Sequence, residues 1–227
     1  MLSIRLSITQ SNNAAGIPLF GFVNPIPIGP CVSYVGSDDY RLGLEIAHYL
    51  YKHLNGQGKI LFVSGHVTSV TSIARLRAFR DAAQAYPEIM IAGTCVGDYV
   101  RETAHDSVAK WLAANDGIAG CAVANDIMAV GVVDALREEG HKAAVVGINA
   151  IPEAIAAIKR GDMLATVDFN AMRMAFLATE CAIRYLRGEQ VPAKVELPAQ
   201  IVDRQNCHLW DVPYEKRIIP ALAETVV

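Results

Sequence analysis

Short apolar segments alternate along the chain with longer segments whose apolar residues recur at helical spacing. The short segments are rich in β-branched residues and several are followed by turn residues, which favours strands. The intervening periodicity predicts amphipathic helices. The predicted strands cover residues 17–23, 59–63, 90–96, 120–124, 143–148 and 164–167, and the predicted helices cover residues 40–54, 72–85, 102–114, 127–139, 152–159 and 172–186.

This alternation of strand and helix predicts an α/β fold with doubly wound parallel sheets and helices on both faces. The chain shows no internal repeat of solenoid period and no low-complexity segment. In open parallel sheets, ligands bind beyond the carboxyl ends of the strands. The polar residues that follow each predicted strand are therefore the candidates for a site.

Amides, carboxylates, an arginine and aromatic rings follow these strands. Planar amides and carboxylates offer paired donors and acceptors, and arginine offers a rigid fork of donors. The hydroxyls of a sugar or polyol need such partners, since a buried hydroxyl left unpaired costs about 1–3 kcal/mol. An aromatic face packs against the apolar side of a sugar ring. The candidate ligand-binding residues are Asn24, Arg75, Tyr99, Asn125, Asn149, Asp168 and Phe169.

Several of these positions also have a structural interpretation. Asp126 fits a helix-start residue better than a ligand contact, because a carboxylate is stabilised at the N-terminal end of the helix dipole. Asn149 either binds ligand or caps the helix that follows it. Arg75 either binds ligand or is a solvated helix residue like its neighbours Arg77 and Arg80.

Composition narrows the function classes. The 227 residues are 52% hydrophobic and 19% charged, which excludes a disordered chain. The 20 Lys and Arg are outnumbered by 23 Asp and Glu, and no basic cluster occurs, so nucleic acid is not an expected partner. Five cysteines without a C-x-x-C pair indicate neither a disulfide framework nor a zinc site. Cys121 and Cys181 stand among apolar neighbours and are predicted to be buried free thiols.

The N-terminal region contains an uncharged stretch, residues 6–37. Prolines and polar residues interrupt it, which argues against a membrane helix. Residues 1–8 alternate apolar and polar positions, so they do not resemble a secretory signal. Taken literally, this pattern predicts a chain that stays in the cytoplasm.

Catalytic patterns are scarce. The chain has no dinucleotide fingerprint, no phosphate-binding G-x-x-x-x-G-K-[ST] loop and no G-x-S-x-G nucleophile elbow. His48 and His53 are five residues apart and fall on different helix faces. We therefore predict no enzyme, no cofactor, no metal and no catalytic residue. The hydroxyl-rich loop at residues 64–69 keeps a small α/β enzyme as an alternative.

Seven motifs in matching order show a family resemblance that runs from about residue 14 to residue 206. The sequence resembles the periplasmic sugar-binding proteins of ABC transporters, in particular the ribose-binding-like, type I group, whose two-lobed fold is shared with the ligand cores of the Lac-repressor family. The motifs include Arg75-x-x-Ala78-Phe79, Asn125-Asp126-x-Met128-Ala129-x-Gly131, Val146-Gly147-Ile148-Asn149-x-x-Pro152-Glu153-Ala154 and Gly161-Asp162-x-Leu164-Ala165-Thr166-Val167.

The resemblance implies a binding protein for a sugar or polyol, held in a cleft between two lobes without catalysis. It makes Arg75 and Asn125 hydrogen-bonding ligand contacts and Tyr99 the aromatic wall of the cleft. The family's usual aspartate falls on Asn149 and its frequent glutamine on Phe169, and these departures leave the specific sugar open. An acidic-basic pair common in the family is replaced by Val23 and Asn24, while Asp168 and Asn170 flank Phe169.

The resemblance also divides the chain. Residues 1–33 and 170–196 map to a partial N-terminal lobe, residues 34–169 and 197–206 to the C-terminal lobe, and residues 207–227 to a C-terminal tail. A strand at 197–202 would return to the C-terminal lobe. The first β-α units of the family are absent, which predicts a truncated chain or one completed from elsewhere, with self-association through the incomplete lobe.

The implied partners are a small sugar or polyol and an ABC transporter permease. The implied location is the periplasm, although the chain shows no signal peptide. The alternatives are the ligand-sensing core of a Lac-repressor-type transcription regulator and the small α/β enzyme named above.

Overall fold

The structure is a computed structural model that describes residues 11, 14–24, 31–213 and 216. Within these residues the strands are β1 (Phe20–Phe22), β2 (Ser33–Gly36), β3 (Gln57–Ser64), β4 (Glu88–Val96), β5 (Gly120–Val123), β6 (Ala144–Ile148), β7 (Ala165–Asp168), β8 (Lys194–Glu196) and β9 (Gln200–Asp203). The helices are α1 (Asp39–His53), α2 (Val70–Ala83), α3 (Arg101–Ala114), α4 (Asp126–Glu138), α5 (Pro152–Arg160) and α6 (Ala171–Leu186), with a 3₁₀ turn at Cys207–Leu209.

The chain forms two compact units, each assembled from separate segments. Unit 1 contains the described residues of Met1–Asp38, Asn170–Pro198 and Lys216–Val227, and unit 2 contains those of Asp39–Phe169 and Ala199–Glu215. The sequence-based division placed residues 34–38 in the C-terminal lobe, whereas the structure places them in unit 1. The reason is that β2 forms hydrogen bonds with β1 and β8 of that unit.

Unit 1 is built on a three-stranded parallel sheet in the order β1-β2-β8. Helix α6 packs on β1 and β2, where the rings of Phe20 and Tyr185 meet edge to face with centroids 5.7 Å apart. The Tyr34 hydroxyl donates to the carbonyl of Val23 at 2.9 Å. This bond ties the chain that follows β1 to the neighbouring strand.

Unit 2 is built on a six-stranded sheet in the order β4-β3-β5-β6-β7-β9. All neighbouring strands are parallel except β9, which pairs antiparallel with β7. The central strands are buried on both faces, so they appear in the sequence as continuous apolar runs. The predicted α/β class with parallel sheets is confirmed.

Each predicted strand and helix is present, with ends that shift by up to about three residues. Side-chain caps define two of the helix starts: Ser69 accepts from the backbone N–H of Ser72, and Asn125 accepts from that of Met128. Gly161 ends α5 with a φ of +85°, a conformation that glycine adopts without steric cost. The structure adds β2 and β8, which no apolar run predicts, and β9, which overlaps the returning strand implied at residues 197–202.

The segment after residue 206 was expected to be a tail. The structure instead buries Cys207 in the core of unit 2 and packs Trp210 against that core. Cys121 and Cys181 are buried free thiols, as predicted. Residues 1–8, with their alternating apolar and polar positions, lie outside the described residues. Among the described helices, none has the length and apolar character needed to cross a bilayer.

Candidate ligand-binding site

The carboxyl ends of the parallel strands of unit 2 lie along one edge of its sheet. Four of the predicted residues stand in the loops that leave this edge: Tyr99, Asn125, Asn149 and Phe169. Asp168 is the last residue of β7 at the same edge. Arg75 reaches the same edge from α2. Asn24 lies in unit 1, is exposed, and donates its backbone N–H to the carbonyl of Phe22 at 2.7 Å.

Arg75 is buried, with 5% of its surface exposed, so its interpretation as a solvated helix residue is wrong. Its Nε and Nη2 lie 2.8 and 2.6 Å from Oδ1 of Asp39, and its Nη1 donates to the carbonyl of Ala124 at 2.6 Å. The guanidinium carbon lies 5.8 Å from the ring centroid of Phe169, within cation-π range. These contacts hold the guanidinium in one orientation beside Ala124 and Asn125, the two residues between β5 and α4.

Asp39 is the member of this group that the sequence did not reveal. It is the first residue of α1 and stands 36 positions before Arg75. An acidic residue in the first turn of a helix is adequately explained by the helix dipole, so nothing local marks it as a partner of a buried arginine. The packing of α1 against α2 brings the two side chains together.

Asn125 is both a helix cap and a source of a free donor. Its Oδ1 accepts from the backbone N–H of Met128 at 3.1 Å and so starts α4. Its Nδ2 makes no hydrogen bond within the described part of the chain. The amide nitrogen is therefore available to a ligand without any loss to the helix.

Asp126 is fully buried and connects the start of α4 to β7 and to the loop before α5. Its Oδ1 accepts from the Thr166 hydroxyl at 2.7 Å, and its Oδ2 accepts from the backbone N–H of Ile151 at 3.1 Å. Burial raises the pKa of Asp126 to about 7, although the hydrogen bonds from Thr166 and Ile151 act in the opposite direction. As predicted, Asp126 starts a helix, and in addition it holds the neighbouring loop in place.

Asn149 does not cap the helix that follows it. Residue Ile151 occupies the cap position of α5, and Asp126 accepts its backbone N–H. Asn149 has a φ of +134°, and its buried Oδ1 has no hydrogen-bond partner among the described residues. A strained backbone together with an unpaired buried acceptor is a combination that concentrates at functional sites.

Tyr99 closes the end of β3. Its hydroxyl lies 2.9 Å from the Thr71 hydroxyl, and its ring lies so close to Gly65 that a Cβ there would come within 2.2 Å of it. A side chain at position 65 would therefore displace this ring. The place of Tyr99 as the wall of a ligand cleft stays a prediction.

Two hydroxyls at the end of β3 and in the segment that follows it form hydrogen bonds within the protein. Ser64 donates to the carbonyl of Cys95 at 3.3 Å, and Ser69 caps α2. Asp168 is held by Trp210, whose indole nitrogen donates to its Oδ2 at 2.8 Å. In the part of the chain that the structure describes, no three potential metal-ligating side chains lie together.

Comparisons with known proteins agree with this architecture. Residues 5–190 match the family described as "Periplasmic binding protein domain". The ribose import binding protein of Salmonella typhimurium is 26% identical over 194 residues, which cover 85% of this chain and 65% of that protein. The xylitol-binding protein of Mycolicibacterium smegmatis is 25% identical over 183 residues, which cover 80% of this chain and 52% of that protein.

A solved structure provides the fold comparison. The periplasmic solute-binding protein of an ABC transporter from Actinobacillus succinogenes, with bound D-allose, superposes with a TM-score of 0.84 at 26% identity, over 88% of this chain and 74% of that one. The chain thus spans between about half and two thirds of the length of the curated relatives that it matches. It belongs to the periplasmic binding protein family, in the type I, ribose-binding-like group.

Proposed function

We propose that this protein binds a small sugar or polyol at the strand-end edge of unit 2 and carries out no chemistry on it. The observation that supports this most directly is the fixed guanidinium of Arg75, which lies over Phe169 and against the carbonyl before Asn125. A rigid donor fork on an aromatic surface, beside an amide with a free donor, matches the hydroxyls and apolar face of a sugar.

The neighbouring loops add complementary groups. The Oδ1 of Asn149 supplies a buried acceptor, whereas Nδ2 of Asn125 supplies a donor. A hydroxyl is both a donor and an acceptor, so it satisfies both kinds of group at once. Asp126 keeps the loop of Asn149 in place through its bond to Ile151. The relatives named above bind ribose, xylitol and allose, which are all small polyhydroxylated molecules.

The proposed ligand contacts in unit 2 are those expected from the sequence: Arg75, Tyr99, Asn125, Asn149, Asp168 and Phe169. A contact from Asn24, which belongs to unit 1, stays a prediction. We further propose that the bound sugar is delivered to the permease of an ABC importer and that the protein acts in the periplasm. Both proposals rest on the family, whose named relatives include import and periplasmic binding proteins. Self-association through the partial lobe is kept as a prediction, which sedimentation of the purified protein tests.

Isothermal titration calorimetry with D-ribose, D-allose, xylitol and myo-inositol tests the binding function. We expect at least one of them to bind with a Kd below about 1 mM. Asn125→Ser is the most informative variant, because serine retains the helix-capping oxygen but lacks the amide nitrogen. It should weaken binding by at least about tenfold, the effect of one lost hydrogen bond to a ligand hydroxyl, while the melting temperature stays nearly unchanged.

Asn115→Ser provides the matched control. Asn115 is exposed at the end of α3, where its Nδ2 donates to the carbonyl of Trp111. This variant should bind like the wild type. Failure of all four compounds to bind would refute the proposed function, and equal losses in both variants would refute the place of Asn125 in the site.

A further inference from the structure

The buried cation of the candidate site is already neutralised by the protein itself. The side chains of Arg75 and Asp39 are only 6% and 14% exposed, and their closest atoms lie 2.6 Å apart. Both side chains belong to unit 2, and the pair lies at the same edge as Asn125 and Phe169. A pair of opposite charges in so little solvent presents almost no net charge to a ligand.

The pair also uses the part of the guanidinium that would best hold an anion. A free arginine binds a carboxylate through two parallel N–H donors, and the Nε and Nη2 side is one of its two such faces. Here Nε and Nη2 both point to Oδ1 of Asp39, and Nη1 uses one hydrogen on the carbonyl of Ala124. Of the five guanidinium hydrogens, two are left, which is enough for the hydroxyls of a neutral ligand.

A ligand carboxylate would face an additional obstacle in this place. To reach the remaining hydrogens of Arg75 it would have to approach the carboxylate of Asp39, which is bound to the same guanidinium. Repulsion between two carboxylates at such a short range offsets the attraction of the arginine, and the effect is large where water is excluded. A hydroxyl meets no such repulsion.

We propose that Asp39 determines the ligand class of this site, so that the protein selects neutral sugars or polyols and rejects the corresponding sugar acids. This inference rests on the proposed function and adds a residue that acts through Arg75, not through contact with the ligand. Asp39 is thus a specificity-determining positioning residue.

Calorimetry on matched pairs of compounds tests the proposal. The pairs are D-ribose with D-ribonate and xylitol with D-xylonate, all measured in the same buffer at pH 8. In the wild type, the neutral member of the pair that binds should bind at least about tenfold more tightly than its acid. In Asp39→Asn, the ratio of the two dissociation constants should shift toward the acid by at least about tenfold.

Glu45→Gln is the matched control for the change in charge. Glu45 lies on the same helix as Asp39 but pairs with Arg41 at the surface, where the two side chains are 33% and 67% exposed. In Glu45→Gln, the ratio of the two dissociation constants should equal that of the wild type, because solvent screens the lost charge. Asp39→Glu, which keeps the charge, should retain the preference for the neutral compound.

The outcomes separate this inference from the function on which it rests. If neither member of any pair binds the wild type, the proposed function fails, and the inference fails with it. If the acid binds the wild type as tightly as the neutral compound, binding stands and the role of Asp39 is overturned. The role of Asp39 is also overturned if Glu45→Gln shifts the ratio of the two dissociation constants as much as Asp39→Asn does. It is overturned as well if Asp39→Asn folds and leaves that ratio unchanged. If Asp39→Asn does not fold, the ratios of dissociation constants in the wild type and in Asp39→Glu provide the test. A preference for the acid in either protein overturns the role of Asp39.

Discussion

Replacement of Asp126 tests how the loops of the candidate site are held together. In Asp126→Ala, the Thr166 hydroxyl and the backbone N–H of Ile151 lose their acceptor in a place that water does not reach. Each buried polar group left unpaired costs about 1–3 kcal/mol, so the loss of the acceptor for these two groups should lower the free energy of unfolding by about 2–6 kcal/mol. Asp126→Asn should cost less, because its amide retains one acceptor and can donate to the Thr166 hydroxyl.

The same residue predicts a dependence of stability on pH. Burial raises the pKa of Asp126 from 3.8 to about 7 in the folded protein. Between these values the unfolded chain has released its proton and the folded chain still holds it. The free energy of unfolding therefore decreases as the pH rises from about 4 to about 7 and levels off above that. The difference in pKa corresponds to at most about 4 kcal/mol.

Urea unfolding followed by circular dichroism, at intervals between pH 4.5 and pH 8, measures both effects. The curve of the wild type should fall relative to that of Asp126→Asn across this range, since the variant has no proton to release at this position. Asp116→Asn, a change of the same kind at an exposed loop position, should run parallel to the wild type. If the curve of Asp126→Asn also runs parallel to that of the wild type, the buried carboxyl does not release its proton between these pH values.

Three further substitutions test other contacts of unit 2. Gly65→Ala should destabilise the fold by about 1–3 kcal/mol, because its Cβ would come within 2.2 Å of the Tyr99 ring. Near-ultraviolet circular dichroism should report a displaced tyrosine, and an unchanged spectrum and melting temperature would contradict the close approach. Trp210→Phe should lower the free energy of unfolding by about 1–2 kcal/mol, because it removes the hydrogen bond from the indole nitrogen to Asp168. A change below about 0.3 kcal/mol in urea unfolding would show that this hydrogen bond does not stabilise the fold. Asn149→Gly should raise the free energy of unfolding by about 1 kcal/mol, since it removes a strained φ of +134° and a buried acceptor that has no partner in the described part of the chain. It should also weaken sugar binding in calorimetry, and a loss of stability would refute the assignment of strain.

The central strands could be predicted from the sequence because of where they lie. Parallel strands buried on both faces need apolar residues at nearly every position, so β3 and β5 appear as uninterrupted runs. Strands β2 and β8 have only four and three residues and no such run, and the hydrogen bonds between them join positions about 160 residues apart. Such pairing depends on the arrangement of distant segments, which local pattern does not encode.

The candidate site, too, could be predicted from the sequence only in part. The position of Asn125 directly after a strand predicted both its place at the sheet edge and its amide chemistry, because the carboxyl ends of parallel strands meet at one edge. Arg75 could not be told apart from Arg77 by pattern, since both lie in α2, yet Arg75 is buried and the side chain of Arg77 is 67% exposed. Only the packing of α2 against the sheet separates them.

By itself, the sequence determined the order of strands and helices, the parallel α/β class, the family resemblance and the residue types that gather at the strand ends. These follow from periodicity and from the rule that parallel strands share a direction. Only the tertiary structure decided that Asp39 neutralises Arg75 and that Asp126 is buried with bonds to β7 and to the loop before α5. It also decided that Asn149 keeps an acceptor with no partner among the described residues. Partners, burial and hydrogen bonds arise between segments far apart in the chain, so they exist only once the chain is folded.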